Sequence, residues 1–315
     1  MTIKFSMAWT ELRRIIEEYR ISDGPFALAT LVKTSGSTYR QVGARMLITC
    51  DGRYFGRLSA GCVEEEIAEL AQNVILTGKP VIWSCDLRSR FACDGAIHVL
   101  VEPLERPNAF VEALSRMAGD RKSLLVKTNY RLTDPDSGTS LAESWETDNP
   151  EAFIQEIQPP IRLMLFGDYA DAEAVAQFAK FLGWQVEFAL DAPLLLSGDA
   201  RTACVVMSHH LGRDTVAVRN ALQGGFGYVG LLGPRRRKNL LLRGMISEGY
   251  VLDSISTLHS PAGLDIGSES PEEIALAVVA EIQAVLMGRK GGRLRDRKEP
   301  IHQVEEPLLC NELRS

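Results

Sequence analysis

No stretch of this 315-residue chain approaches the ~18 uninterrupted apolar residues of a membrane span, and Met1 to Trp9 lacks a secretory leader's apolar core. A cytoplasmic protein is expected. Basic excess is missing too: 35 Lys and Arg stand against 41 Asp and Glu, a net charge of −6 with pI near 5.5. That balance argues against non-specific nucleic-acid binding, which needs a basic surface to displace counterions from phosphates. Cys50, Cys62, Cys85, Cys93, Cys204 and Cys310 form no Cys-x-x-Cys pair, so a structural zinc site is not expected, and reduced thiols are expected rather than a disulfide framework. Internal repeats and low-complexity tracts are absent. What the chain does have is length and 45% hydrophobic content, enough for two domains with cores of their own.

Trp9, Leu12, Ile15, Ile16 and Tyr19 recur at helical spacing and stop at Asp23-Gly24-Pro25. Phe26 to Val32 reads as a strand, Thr34 to Thr38 as a polar turn, and Ala44 to Thr49 with Tyr54-Phe55 as a hairpin about Asp51-Gly52, a pair that favours a type I′ turn. A helix follows Cys62, with Val63, Ile67, Leu70 and Val74 as its apolar stripe. Strands near Val81 to Trp83 and Ile97 to Val101, a helix over Ala109 to Met117, a strand at Leu124 to Val126 and a polar stretch from Thr133 to Asn149 complete an α+β region. Gln158-Pro159-Pro160 reads as a boundary, because paired prolines stiffen a linker. Beyond it, Ile161 to Phe166, Ala172 to Leu182 and Val186 to Leu190 form a βαβ unit, and Ala203 to Met207 and Tyr228 to Leu232 continue the alternation. Ser270-Pro271-Glu272-Glu273 announces a long helix with a capping box. The fold class is therefore α/β: an α+β domain over residues 1–157, a Rossmann-like doubly wound parallel sheet over 158–288, and a tail over 289–315.

Four groups of residues could carry chemistry. Gly61 and Cys62 open a helix, where first-turn amides and the dipole favour a thiolate, while Glu64, Glu65 and Glu66 add negative charge that opposes it. A buried small hydrophobe fits the same spacing. Cys93 sits in a glycine-bearing turn, whereas Cys50 and Cys204 lie in strand-like runs and read as core. Gly167-Asp168-Tyr169-Ala170-Asp171-Ala172 matches a dinucleotide fingerprint, with Asp191 at the ribose-binding position, but Tyr169 replaces the glycine that lets backbone approach pyrophosphate. His209 and His210 follow a parallel strand, as ligand groups or as solvated or capped loop residues. Arg235-Arg236-Arg237-Lys238 opens a helix, as a clamp for phosphate or an acidic partner or as a solvated face.

Together the motifs resemble the XdhC/CoxI family, accessory proteins of molybdenum hydroxylases such as xanthine dehydrogenase. The strings that carry the resemblance are Thr34-Ser35-Gly36-Ser37-Thr38-Tyr39-Arg40, Gly43-Ala44-Arg45-Met46-Leu47, Gly61-Cys62-Val63-Glu64, Gly230 to Arg237 and Ser260 to Gly267. The resemblance implies a chaperone that binds molybdenum cofactor, protects it during sulfuration and inserts it into an apo-hydroxylase. A cysteine desulfurase and a second copy of the chain are further candidate partners. It points to Cys62 as a soft ligand for the metal, with Gly61, Glu64 and Cys93 as cofactor-binding residues beside it, and the fingerprint, strand-end and basic-run readings above add Gly167, Asp191, His209, Arg235 and Arg236 as candidate cofactor-binding residues. Two other functions compete: an NAD(P)-dependent oxidoreductase using His209 as proton donor, and an interaction adaptor whose ligand sites have decayed.

Overall fold

The structure, a computed structural model, describes residues 2–3, 8–36, 38–90, 95–167, 170–189, 197–249 and 257–298. Its contacts divide the chain after Pro159 into two compact units.

The first unit carries two sheets. Strands β2 (Phe26–Gly36), β3 (Arg45–Thr49), β4 (Tyr54–Gly56), β5 (Val81–Asp86) and β6 (Gly95–Leu104) form an antiparallel sheet in the order β4-β3-β2-β6-β5. A second, four-stranded sheet runs β1-β9-β7-β8, from β1 (Thr2–Ile3), β7 (Leu124–Asn129), β8 (Gly138–Leu141) and β9 (Ala152–Ile157). Helix α1 (Trp9–Ile21) buries the predicted stripe Leu12, Ile15, Ile16 and Tyr19 against Phe26, Leu28 and Leu47 and against α4 (Ala109–Asp120). Helix α2 (Glu64–Thr77) covers the five-stranded sheet's other face with Ile67, Ala71 and Val74, and ends at Gly78 in the left-handed region. A single turn, α3 (Leu87–Arg90), follows β5.

Several expectations change. β2 continues through Thr34, Ser35 and Gly36, because β6 begins at Gly95 and pairs with those polar residues across a register shift between Leu31 and Lys33. The β3–β4 turn is not type I′: Gly52 N–H bonds to the Thr49 carbonyl at 3.0 Å and Gly52 alone of the turn has positive φ (+83°), giving a three-residue loop with a glycine bulge. That loop exposes Cys50, which is therefore not a core residue, whereas Cys204 is fully buried as expected. The polar stretch contains β8, and β9 and β1 had no counterpart in the sequence reading.

The second unit is a parallel sheet in the order β11-β10-β12-β13-β14, from β10 (Arg162–Phe166), β11 (Gln185–Ala189), β12 (Thr202–Val206), β13 (Tyr228–Leu231) and β14 (Leu258–His259). Helices α5 (Ala170–Phe181) and α8 (Pro271–Leu286) pack on one face and α6 (Leu211–Gln223) and α7 (Arg235–Ser247) on the other, each over its own core cluster. The capping box at Ser270 and Glu273 is present in both directions, with Pro271 at the first helical position. Since the second strand lies on one side of β10 and the third on the other, the topological switch point falls between β10 and β12, where doubly wound sheets bind ligands.

Candidate functional site

Antiparallel pairing gathers several family motifs at one end of the five-stranded sheet. β2 ends at Gly36 opposite Gly95, the first residue of β6, while β4 ends at Gly56 opposite Met46 and leads into the Cys62 loop. Gly36, Gly95 and Asp86, which lies opposite Ala96, therefore leave the sheet together, whereas Gly56 leaves it at the level of Ala29, seven residues short of Gly36 along β2, and its loop from Arg57 to Val63 starts toward the same side. Cys93 precedes β6 in sequence and lies outside the described residues. Cys50, on the β3–β4 turn, sits at the opposite end.

Cys62 itself is exposed, two positions before α2. The loop around it is clasped from within. Glu64, only 2% exposed, accepts hydrogen bonds from Leu58 N (3.0 Å), Ser59 N (2.7 Å), Ser59 Oγ (2.6 Å) and Val63 N (3.2 Å). Ser59 Oγ in turn accepts from Gly61 N (3.1 Å) and Cys62 N (2.9 Å). Desolvation pushes the Glu64 carboxyl up, but the bonds from Ser59 and Val63 outweigh it and hold the group below the usual glutamate range. Glu64 thus serves the loop that presents Cys62, and the Leu58, Ser59, Gly61, Cys62 and Val63 amides of that loop are already occupied. Gly61 has φ +108° and open space where a Cβ would be.

Arg45, which in sequence is only one member of a strand motif, is fully buried. Its Nη1 donates to the Gly43 carbonyl (2.9 Å) and to Gln155 Oε1, its Nη2 donates to Thr128 Oγ1 (3.2 Å), and the guanidinium lies 5.2 Å from the Phe110 ring centroid. Burial lowers its pKa to about 10 despite the opposing field of Glu102. Glu102, pushed up by its own burial, accepts from Thr139 N (2.8 Å) and Thr139 Oγ1 (2.6 Å). This network ties the two sheets of the first unit together.

In the second unit Gly167 and His209 meet at the switch point. Gly167 has φ +138°, and a Cβ there would come within 2.7 Å of the Met207 carbonyl oxygen, so strand approach alone requires this glycine. His209 adopts φ +55° and places Nε2 4.0 Å from Asp171 Oδ2 in the first turn of α5. His210 is the N-cap of α6, its ring accepting from Arg213 N. Asp168, Tyr169 and Asp191 lie outside the described residues. The basic run opens α7 as expected, and it divides: Arg237 Nε donates to the buried Asp214 carboxylate at 2.7 Å and Lys238 Nζ to the Ser260 carbonyl at 3.2 Å, whereas Arg235 and Arg236 are exposed. A cavity of about 230 Å³ is lined by His209, Leu211, Pro234, Arg236, Arg237 and Leu240.

Besides the Arg45 network, two further arrangements are not legible in the sequence. One is the Ser59–Glu64 clasp, for which a serine five residues before a first-turn glutamate was the available signal. The other surrounds Glu281 on α8, which accepts from Tyr228 OH (2.5 Å) and Gly263 N (2.9 Å) and faces His259 Nδ1 at 3.7 Å, with the His259 ring stacked on Tyr228. No spacing joins residues 228, 259 and 281. No group of three or more His, Cys, Asp or Glu suited to a metal ion occurs among the described residues.

Comparison with known proteins places one family model in each unit. Residues 21–86 match the model of the XdhC and CoxI family, and residues 163–282 match that of the XdhC Rossmann domain. The chain belongs to the XdhC/CoxI family. Two relatives fit along most of their length. One, from Bacillus subtilis, is named as a probable xanthine dehydrogenase subunit and is 29% identical over 81% of this chain and 91% of that protein. The other, the molybdenum cofactor insertion chaperone PaoD of Escherichia coli, is 27% identical over 88% of each. A crystal structure of a xanthine dehydrogenase from Bacillus halodurans superposes with a TM-score of 0.72 at 25% identity, covering 89% of this chain and 97% of that one. No helix among the described residues is long and apolar enough to cross a membrane.

Proposed function

We propose that this chain is a maturation factor that holds molybdenum cofactor and delivers it to an apo-hydroxylase of the xanthine dehydrogenase type, with a cysteine desulfurase as the sulfur source. The names of its two relatives support that role. The observation that carries it is the presentation of Cys62: an exposed thiol on a family motif whose loop is immobilised from inside by Glu64 and Ser59. The donor set fits the metal end of the group, because a thiolate is a soft ligand and the open flank of Gly61 admits a bulky ligand beside it. The phosphate end finds fewer free donors at the same loop, where five amides are held by Glu64 and Ser59. Cys62 would therefore hold the metal, which supplies a soft acceptor for the thiolate. Glu64 and Ser59 position the loop, and Cys93, two residues before β6 in sequence, is the second candidate thiol. The division after Pro159 supports reading 1–157 and 158–288 as separate domains, and 289–315, after α8, is read as a tail.

Cys50 supplies the control, being an exposed thiol of the same sheet at its other end. In anaerobic titration with isolated molybdenum cofactor, Cys62→Ser is expected to weaken retention about tenfold or more, one strong ligand's worth, and Cys50→Ser to leave it unchanged. Equal retention by both variants and the parent would remove Cys62 from the site.

A further inference from the structure

Helix α7 has no acidic residue among its 13, in a chain whose net charge is −6. Its inward side is accounted for by buried Leu241 and Met245, by Arg237 on Asp214 and by Lys238 on the Ser260 carbonyl. The outward side presents Arg235, Arg236, Asn239, Leu240 and Arg243, all exposed, at the i, i+3 and i+4 spacing that forms one helical face. Leu240 is 45% exposed, and Leu211 at the start of α6, 40% exposed, shares with it the wall of the 230 Å³ cavity. Among the described residues, three acids of this unit are already engaged: Asp214 by Arg237, Glu248 by Arg219 at 3.6 Å, and Asp171 facing His209 at 4.0 Å. Arg235, Arg236 and Arg243 have no ion pair among the described residues.

Exposed guanidinium groups around exposed leucines are the composition of a protein-recognition surface, in which apolar side chains anchor the centre and arginine forks take carboxylates at the rim. A nucleic-acid surface would need basic charge without the leucine anchors. We propose that the outer face of α7, with the adjoining Leu211–Leu240 cavity, docks a carboxylate-rich, apolar-tipped surface of a protein partner. Resting on the delivery reading above, that partner is the apo-hydroxylase. The cavity receives one apolar side chain, and Arg235, Arg236 and Arg243 pair with acids flanking it.

The test titrates the full chain against the apo form of a xanthine dehydrogenase-type hydroxylase, purified from molybdate-starved cells, at about 50 mM and 500 mM salt. Arg235→Glu with Arg236→Glu is expected to weaken binding at least about tenfold at low salt and only a few-fold at high salt, because exposed charges are screened beyond ~3–5 Å there. Leu240→Asp is expected to weaken it at both salts, and Arg235→Lys with Arg236→Lys to restore most of the affinity. Parent-like binding by the charge-reversed and Leu240 variants overturns the assignment of this face. Should the parent hold molybdenum and pterin but bind no apo-hydroxylase, the docking face falls and the carrier role stands. If it docks with the arginine dependence described but holds no cofactor, the face stands and the carrier role falls.

Discussion

Each unit builds a loop before a helix around a buried acid and a serine, and the two solutions differ in where the acid finds its partners. In the first unit Glu64 is neutralised locally, by three amides and the Ser59 hydroxyl, all within six residues of it. In the second, Asp214 takes the Ser208 hydroxyl at 2.5 Å and then reaches another helix, where Arg237 Nε lies 2.7 Å away. A carboxylate satisfied by neutral donors makes a self-contained loop. One satisfied by a cation makes two loops interdependent, and exposes the pair to the heavier loss when either partner goes, because an unpaired charge is left in a dry site.

Removing Arg237 should break the comparison most. Arg237→Ala is expected to destabilise the second unit by about 3–5 kcal/mol, read by chemical denaturation, because Asp214 is left buried and unpaired. A loss below about 1 kcal/mol would mean that water reaches Asp214 and that the pair is not dry. Glu64→Gln keeps the shape but offers one acceptor in place of two, with an expected cost of about 1–3 kcal/mol and faster alkylation of Cys62. Acid should mimic that change. The Glu64 carboxyl is held below its ordinary pKa, so the clasp's contribution is complete above the normal glutamate range and is lost as pH falls through the lowered value. Cys62 alkylation, normalised to Cys50, should therefore rise on acidification, and a flat ratio would show that the loop does not depend on the ionised clasp. Ser59→Ala is the smallest expected effect, about 1 kcal/mol, since the Leu58, Ser59 and Val63 amides still reach Glu64 and the Gly61 and Cys62 amides it releases lie on exposed residues where water can replace the hydroxyl.

Much of the fold was legible because its signals are local. The stripe of α1, the βαβ alternation and the Ser270–Glu273 box each depend on a few adjacent side chains. β9 and β8 were missed because their pairing lies with their shared neighbour β7 rather than in their own composition. The turn at Asp51-Gly52 was placed correctly and typed wrongly, since loop length is settled by register as well as by the dipeptide. At the candidate site, Cys62 could be picked out from its place before a helix. The three glutamates behind it could not be told apart, because spacing does not reveal that Glu64 folds back under the loop, Glu66 takes the Trp83 indole N–H and Glu65 stays in solvent. Arg45 shows the same limit: a charge in a strand motif suggests a ligand or a surface, and only the approach of Gln155 and Thr128 makes it a buried tie.

That tie also sets an order of events on the ribosome. Arg45 is contacted by Gln155, 110 residues later in the chain, and β1 pairs with β9 through Thr2 and Ile154. Contacts so distant in sequence close late, after the loop-closure entropy of everything between them has been overcome. The sheet bearing Cys62 is translated early but cannot be locked until β9 has emerged. The nascent chain therefore passes through a period in which its candidate ligand thiol is synthesised while the scaffold beneath it is still open.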